Sequence, residues 1–183
     1  MVYLISDDSP NAREVISYFN GKNDTPINYL FLKNKERSGP GVARNKGLDN
    51  AFSPYCFFLD ADDEFDAPDV LEKLYKNIEY YKAEVLTAPR RKLDGTKLLE
   101  RQYLCKKEYL DKYNIRYGNY FVHEDLHFVE LLEAYGGRII HTELKSVLYH
   151  NEYVKNIGHT IPSKAKALNK LFVVYAIYNI LNE

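Results

Sequence analysis

Short apolar runs rich in β-branched and aromatic residues alternate along this chain with stretches whose apolar positions recur every three or four residues. VYLIS (2–6) reads as a buried strand, and Asn11 is placed to cap a helix running to about Phe19, ahead of an NGKND turn. INYLFLK (27–33) is a second strand, followed by a loop with Gly39, Pro40 and Gly41 and a helix from about Val42 to Ala51. YCFFLD (55–60) is a third strand, bounded by Ser53-Pro54 and an acidic turn. Pro68 stands where a first helical turn tolerates it, and Val70, Leu71, Leu74 and Ile78 form a stripe at helical spacing through about Lys82. EVLTA (84–88) is a fourth strand.

Strands alternating with helices of this length make βαβ units. The expected class is α/β: a mostly parallel sheet flanked by helices in a single domain, with ligands beyond the carboxyl ends of the strands. Past residue 90 the pattern loosens to a polar turn at Asp94-Gly95, helices at 106–113 and 124–135, strands near 138–141 and 146–150, and a terminal helix from about Ser163. The expected organisation is one domain over 1–162, with 163–183 packed on it or used for association. In that last segment Leu168, Leu171, Phe172, Tyr175 and Tyr178 recur at helical spacing, but the run is too short and too broken by Asn179 to span a bilayer. Core packing is the ordinary reading, and a homodimer or docking on a membrane surface are the alternatives.

With 183 residues, 45% hydrophobic and 28% charged, the chain is long enough for one domain with a real core. A formal net charge of -1 gives no overall bias toward nucleic acid or an anionic membrane. The two cysteines, Cys56 and Cys105, have neither zinc-ribbon nor disulfide-framework spacing, which points to a reducing compartment. The stretch MVYLISDDSP has no basic region and turns acidic early, so a cytoplasmic location is expected.

The chemistry concentrates where the third strand ends. Asp60, Asp62, Asp63 and Glu64 fall within five positions, and such a cluster repels itself unless a cation sits among it. Magnesium-like ions are held by one or two carboxylates together with substrate phosphates, so a divalent ion and a diphosphate ligand are implied. The plain alternative makes Asp62, Asp63 and Glu64 solvated turn residues capping the next helix. A phosphatase of the haloacid dehalogenase type wants Thr or Val where Glu64 stands, and an EF-hand wants Gly at Phe65 and Glu at Leu71.

Upstream, SGPGVARNKGLDNA carries Gly39, Ala43, Arg44, Asn45 and Gly47 ahead of FFLDADD. This resembles the signature of family 2 glycosyltransferases of the GT-A fold, in which Gly-x-x-x-Ala-Arg-Asn-x-Gly precedes a strand ending in the metal-binding DxD. LISDDSPN is similar to the family's nucleotide-pocket strand end, and HEDLHF with the later VLYH is similar to its acceptor-side Glu-Asp element and following strand. The resemblance covers about residues 2–160. It implies Mn2+ or Mg2+ held by Asp62 with Asp60, Asp60 also lying over the ribose. It implies Asp7 and Asp8 at the base and ribose, Arg44 on phosphate or nucleotide, and Asp125, with Glu124 as its neighbour, as the base of an inverting transfer. His150 is a further metal candidate, since GT-A enzymes often recruit a ligand from the C-terminal region; an edge-strand histidine is the alternative. Successive helical positions point about 100° apart, so Glu124 and Asp125 cannot face one centre equally. Against that resemblance, VYLIS aligns with the family's second strand, and the usual first strand-helix unit, with its Pro-x-Tyr-Asn-like turn, is expected to be missing. Another segment, a second chain or a differently built pocket would then complete donor recognition.

The implied partners are a nucleotide-diphosphate sugar donor and a hydroxyl acceptor: a glycan, a lipid carrier, a protein, or a hydroxylated base in modified phage-type DNA. The last would need a basic surface such as Arg90, Arg91, Lys92, Lys106 and Lys107. Two other classes compete. One is a non-catalytic nucleotide-sugar or metal-binding module. The other is a zinc hydrolase, because His123-Glu124-Asp125-Leu126-His127 is formally H-E-x-x-H, with Glu143 or Glu152 as third ligand.

Overall fold

The computed structural model describes residues 2–7, 17, 28–34, 38–60, 63–120 and 123–149. Apart from residue 17, the helix expected at 11–19 lies outside the described residues, as does the terminal helix expected from Ser163. The chain divides into two compact units, one of residues 1–53, 116–129 and 161–183, the other of residues 54–115 and 130–160.

In the first unit, β1 (Val2–Asp7) and β2 (Asn28–Lys33) pair in parallel, from Val2 opposite Asn28 to Asp7 opposite Lys33. Helix α1 (Pro40–Asp49) begins two residues earlier than the apolar pattern suggests. Gly39, at φ 90°, makes the turn into it, Pro40 occupies the first position, where its missing N–H costs nothing, and the Ala43 N–H reaches the Gly39 carbonyl at 3.2 Å. Gly41 therefore lies inside the first turn, where a Cβ would stand 2.2 Å from the Gly118 carbonyl oxygen. Glycine lets α1 approach that backbone.

The second unit holds β3 (Tyr55–Phe57), β4 (Asp63–Phe65), α2 (Val70–Tyr80), β5 (Val85–Lys92), β6 (Lys97–Lys106), α3 (Lys107–Lys112), β7 (Ile139–His141) and β8 (Val147–Tyr149). The strand order is β3-β6-β5-β8-β4, with β7 also on β5. Strand β5 starts with five buried residues because β6 takes one edge and β7 and β8 share the other. Val70, Leu74 and Ile78 of α2 join Ala83, Leu86, Ala88 and Leu104 in one buried cluster. Three side chains on one helical stripe, each at most 2% exposed, place α2 on the face of the sheet.

Strand pairing is mixed. The expected parallel character holds for β1 with β2 and for β5 with β7 and β8, whereas β3–β6, β5–β6 and β4–β8 are antiparallel. The difference arises chiefly from β6, which was not expected from the pattern. The Asp94-Gly95 turn, with Gly95 at φ 86° and the Thr96 N–H on Asp94 Oδ1 at 2.8 Å, joins β5 to β6 as a hairpin. A short hairpin can only give antiparallel neighbours. Paired structure in YCFFLD stops at Phe57, so Asp60 stands in a loop, its carbonyl accepting from the Asp63 N–H at 3.0 Å. Among the described residues no helix is long and apolar enough to cross a membrane.

Candidate active site

Arg44 and Asn45, adjacent on α1, grip two different pieces of chain in the first unit. The Asn45 amide donates to the Tyr117 carbonyl at 2.9 Å and accepts from the Tyr117 N–H at 2.8 Å, so a side chain completes that backbone as a neighbouring strand would. Asp49, one turn on, accepts from Arg116 Nε at 2.9 Å. Arg44 Nη1 donates to Glu124 Oε1 at 2.7 Å, and its guanidinium lies 5.1 Å from the centre of the Tyr117 ring. That ring stacks on Phe128, centroids 4.2 Å apart and planes 1° from parallel.

Glu124 opens α4 (Glu124–Ala134). It is buried, and burial lifts its carboxyl above the ordinary value while the Arg44 hydrogen bond and charge pull the other way. Asp125, the next residue, is exposed, its Oδ1 accepting from the Leu126 N–H at 2.9 Å. The divergence of neighbouring helical positions thus separates the pair: Glu124 faces α1, and Asp125 faces solvent. Because the folded state binds the Glu124 proton more tightly than the unfolded chain, this group's contribution to stability is full at pH below its ordinary 4.5 and declines as pH rises through its raised folded value. Urea titrations across that window should show the decline in the native chain and its loss in Glu124→Gln.

His123 precedes α4 at φ 67°, in the left-handed region that non-glycine residues rarely occupy. His127 is buried against Tyr120, and burial depresses its basicity. His123 thus stands just outside the helix, with the His127 N–H on its carbonyl at 3.4 Å, while Glu143 is exposed and paired with Lys97 at 2.6 Å, and among the described residues no three ligands gather as a zinc hydrolase would need. Glu152 lies outside the described residues.

In the second unit the acidic strand end contains its own cation. Arg90, from the end of β5, bonds to the Asp63 carboxylate and lies 4.0 Å from that of Asp60. The Asp63 side chain is 0% exposed and that of Asp60 is 38% exposed, while the Arg90 guanidinium lies 4.9 Å from the centre of the Tyr149 ring. Asp63 is thus a structural partner of arginine, and Glu64 is exposed in β4. Asp60 keeps an accessible carboxylate of the kind a hard divalent ion accepts alongside water and phosphate. Among the described residues no three His, Cys, Asp or Glu side chains gather as a metal group; Asp62 and His150 lie outside those residues. Asp7 ends β1, and Asp8 lies outside the described residues.

Arg44, expected on the donor, is thus engaged by Glu124. Of the basic stretch considered for DNA, Arg90 is turned to carboxylates and Lys107 to Asp111. The sequence reading missed Tyr117 and Gly118, and it set Arg90 on a basic surface rather than against Asp60 and Asp63. Gly118 alone left a signal, since a Cβ there would meet the Tyr120 ring at 2.2 Å.

The fold is that of GT-A glycosyltransferases. Staphylococcus aureus TarS 1-349 in complex with UDP-GlcNAc is similar with a TM-score of 0.74 at 15% identity, over 88% of this chain and 52% of that one. The mannosyltransferase PcManGT from Pyrobaculum calidifontis, in complex with GDP-Man and Mn2+, is similar with a TM-score of 0.65 at 14% identity, over 85% of this chain and 48% of that one. A family model described as Glycosyl transferase family 2 matches residues 2–135, and the chain belongs to that family. An uncharacterized glycosyltransferase of Methanocaldococcus jannaschii is 38% identical over 80 residues, 42% of this chain and 26% of that protein. The chain therefore spans about a quarter of that relative and about half of each of the two solved structures.

Proposed function

We propose that the chain is a metal-dependent glycosyltransferase that moves a sugar from a nucleotide-diphosphate sugar to a hydroxyl acceptor with inversion. The observation that carries the reading is the family match over 2–135, which runs through both the Ala-Arg-Asn segment and the acidic strand end. Neighbours bound to UDP-GlcNAc and to GDP-Man with Mn2+ support a nucleotide-sugar donor and a divalent ion.

In this reading Asp7 and Asp8 take the base and ribose of the donor, and Asp60 takes the ribose and metal side. Asp62, with Asp60 and with His150 as a further ligand, would hold Mn2+ or Mg2+, whose chemistry there is Lewis-acid relief of the charge on the departing diphosphate. Asp125, exposed at the start of α4, takes the proton of the acceptor hydroxyl as its oxygen bonds to the anomeric carbon. Glu124 stays with Arg44 and moves no proton.

Thermal-shift titration with UDP, GDP and their sugars, with and without Mn2+, tests the reading without knowledge of the acceptor, because a ligand bound only by the folded state raises its melting temperature. A metal-dependent shift with one donor, lost in Asp62→Ala, is expected together with slow hydrolysis of that donor. No shift with any nucleotide overturns the reading, and binding without hydrolysis or transfer leaves a binding module.

A further inference from the structure

We propose that Arg44 and Asn45 are positioning residues for Asp125: the charge of Arg44 serves the carboxylate that opens α4, and the donor diphosphate is bound by other groups. This rests on the transferase reading of Asp125, and it reassigns Arg44 within it.

The chain enters α4 through a left-handed backbone at His123, whose carbonyl accepts from the His127 N–H at 3.4 Å. Further restraint on the first turn comes from α1. Arg44 bonds Glu124 at 2.7 Å with side chains 21% and 11% exposed, so the pair is shielded from water. The Glu124 carbonyl accepts from the Gly118 N–H at 3.3 Å, and a Cβ on Gly41 would stand 3.1 Å from the Glu124 Cβ. One turn further on, Phe128 is 1% exposed and stacks on Tyr117. Tyr117 is itself gripped by Asn45 through its backbone and met by Arg44 at its ring. Two consecutive residues of α1 thus restrain α4 at 124 directly and at 128 through an aromatic ring.

Asp125 sits between those two fixed points and is exposed. On a helix its direction follows from theirs, so rotating Glu124 away from Arg44 turns the Asp125 carboxylate with it. Arg44 suits this task better than lysine would, since its planar guanidinium can bond a carboxylate while resting near a ring. A diphosphate that took the guanidinium would leave the carboxylate of Glu124 buried without its cation, an outcome that weighs against Arg44 as a donor ligand.

The test uses Arg44→Lys, Glu124→Gln, and the charge-free pair Arg44→Met with Glu124→Met, which avoids a lone buried charge if a single variant fails to fold. Donor affinity comes from calorimetry with UDP-GlcNAc or GDP-mannose and Mn2+, turnover and its pH profile come from donor hydrolysis, and the 13C resonance of the Asp125 carboxyl is followed by NMR. Expected is a loss of kcat approaching about a hundredfold with donor affinity held within about twofold, the size a displaced catalytic group can produce. The double variant should lose no more than the worse single one, because both break one link, and the Asp125 resonance should move in all three. Donor affinity that falls about tenfold in Arg44→Lys but not in Glu124→Gln would return Arg44 to the diphosphate and overturn the proposal. An unmoved Asp125 resonance overturns it even if no donor is ever turned over, whereas absence of donor binding by the native chain sinks the transferase reading instead.

Discussion

In the proposed reaction, Asp125→Asn should bind donor and metal as the native chain does and transfer sugar about a hundredfold to ten-thousandfold more slowly, the range over which a positioned general base accelerates proton transfer. The substitution keeps the size and the Leu126 contact of the side chain, so the first turn of α4 has no reason to shift. What it removes is the ability to take a proton. The loss should therefore fall on kcat, with the apparent KM for donor little changed. Because Asp125 is exposed while Glu124 is buried against Arg44, Glu124→Gln lowers kcat by another route and by less: it disturbs the pair that orients the turn and removes no proton acceptor from the reacting hydroxyl. Equal donor turnover by Asp125→Asn and the native chain would place the base elsewhere.

The second large effect is on stability. Asp63→Ala should lower the unfolding free energy by about 3–5 kcal/mol, read as a fall in denaturant midpoint at unchanged slope, because it leaves the mostly buried Arg90 without its principal carboxylate. Asp60, at 4.0 Å and partly exposed, compensates only weakly. Replacing both partners, Asp63→Leu with Arg90→Met, should recover a large part of the loss, since apolar side chains of similar volume remove the uncompensated charge. If Asp63→Ala unfolds at the native midpoint, the arginine has found another partner and the corner does not depend on this pair.

These two cases show where sequence reading succeeds and where it stops. The stripe Val70, Leu74 and Ile78 was legible because helical spacing is a local property, and each of these side chains is buried. The same holds for the β5 run and for Glu124 and Asp125 diverging on their helix. Strand β6 was not legible: KLLERQYLCK mixes charges at Lys97, Glu100, Arg101 and Lys106 with apolar residues, and it becomes a strand because β3 and β5 flank it. The acidic cluster correctly signalled a need for positive charge. Part of the answer, Arg90, lies 27 positions from Asp63, and the pairing of Arg44 with Glu124 spans 80. No local pattern announces such partners, because the backbone that brings them together is itself assembled from distant segments.

Cys56 and Cys105 stand directly opposite each other across β3 and β6, both buried and neither in a disulfide, and burial pushes the Cys105 thiol far above its ordinary range. They are the chain's entire complement of sulfhydryls. A maleimide in the solvent can reach them only when β3 lets go of its neighbour, so the pace of alkylation becomes a clock for the fraying of that margin, readable by mass without any engineered probe.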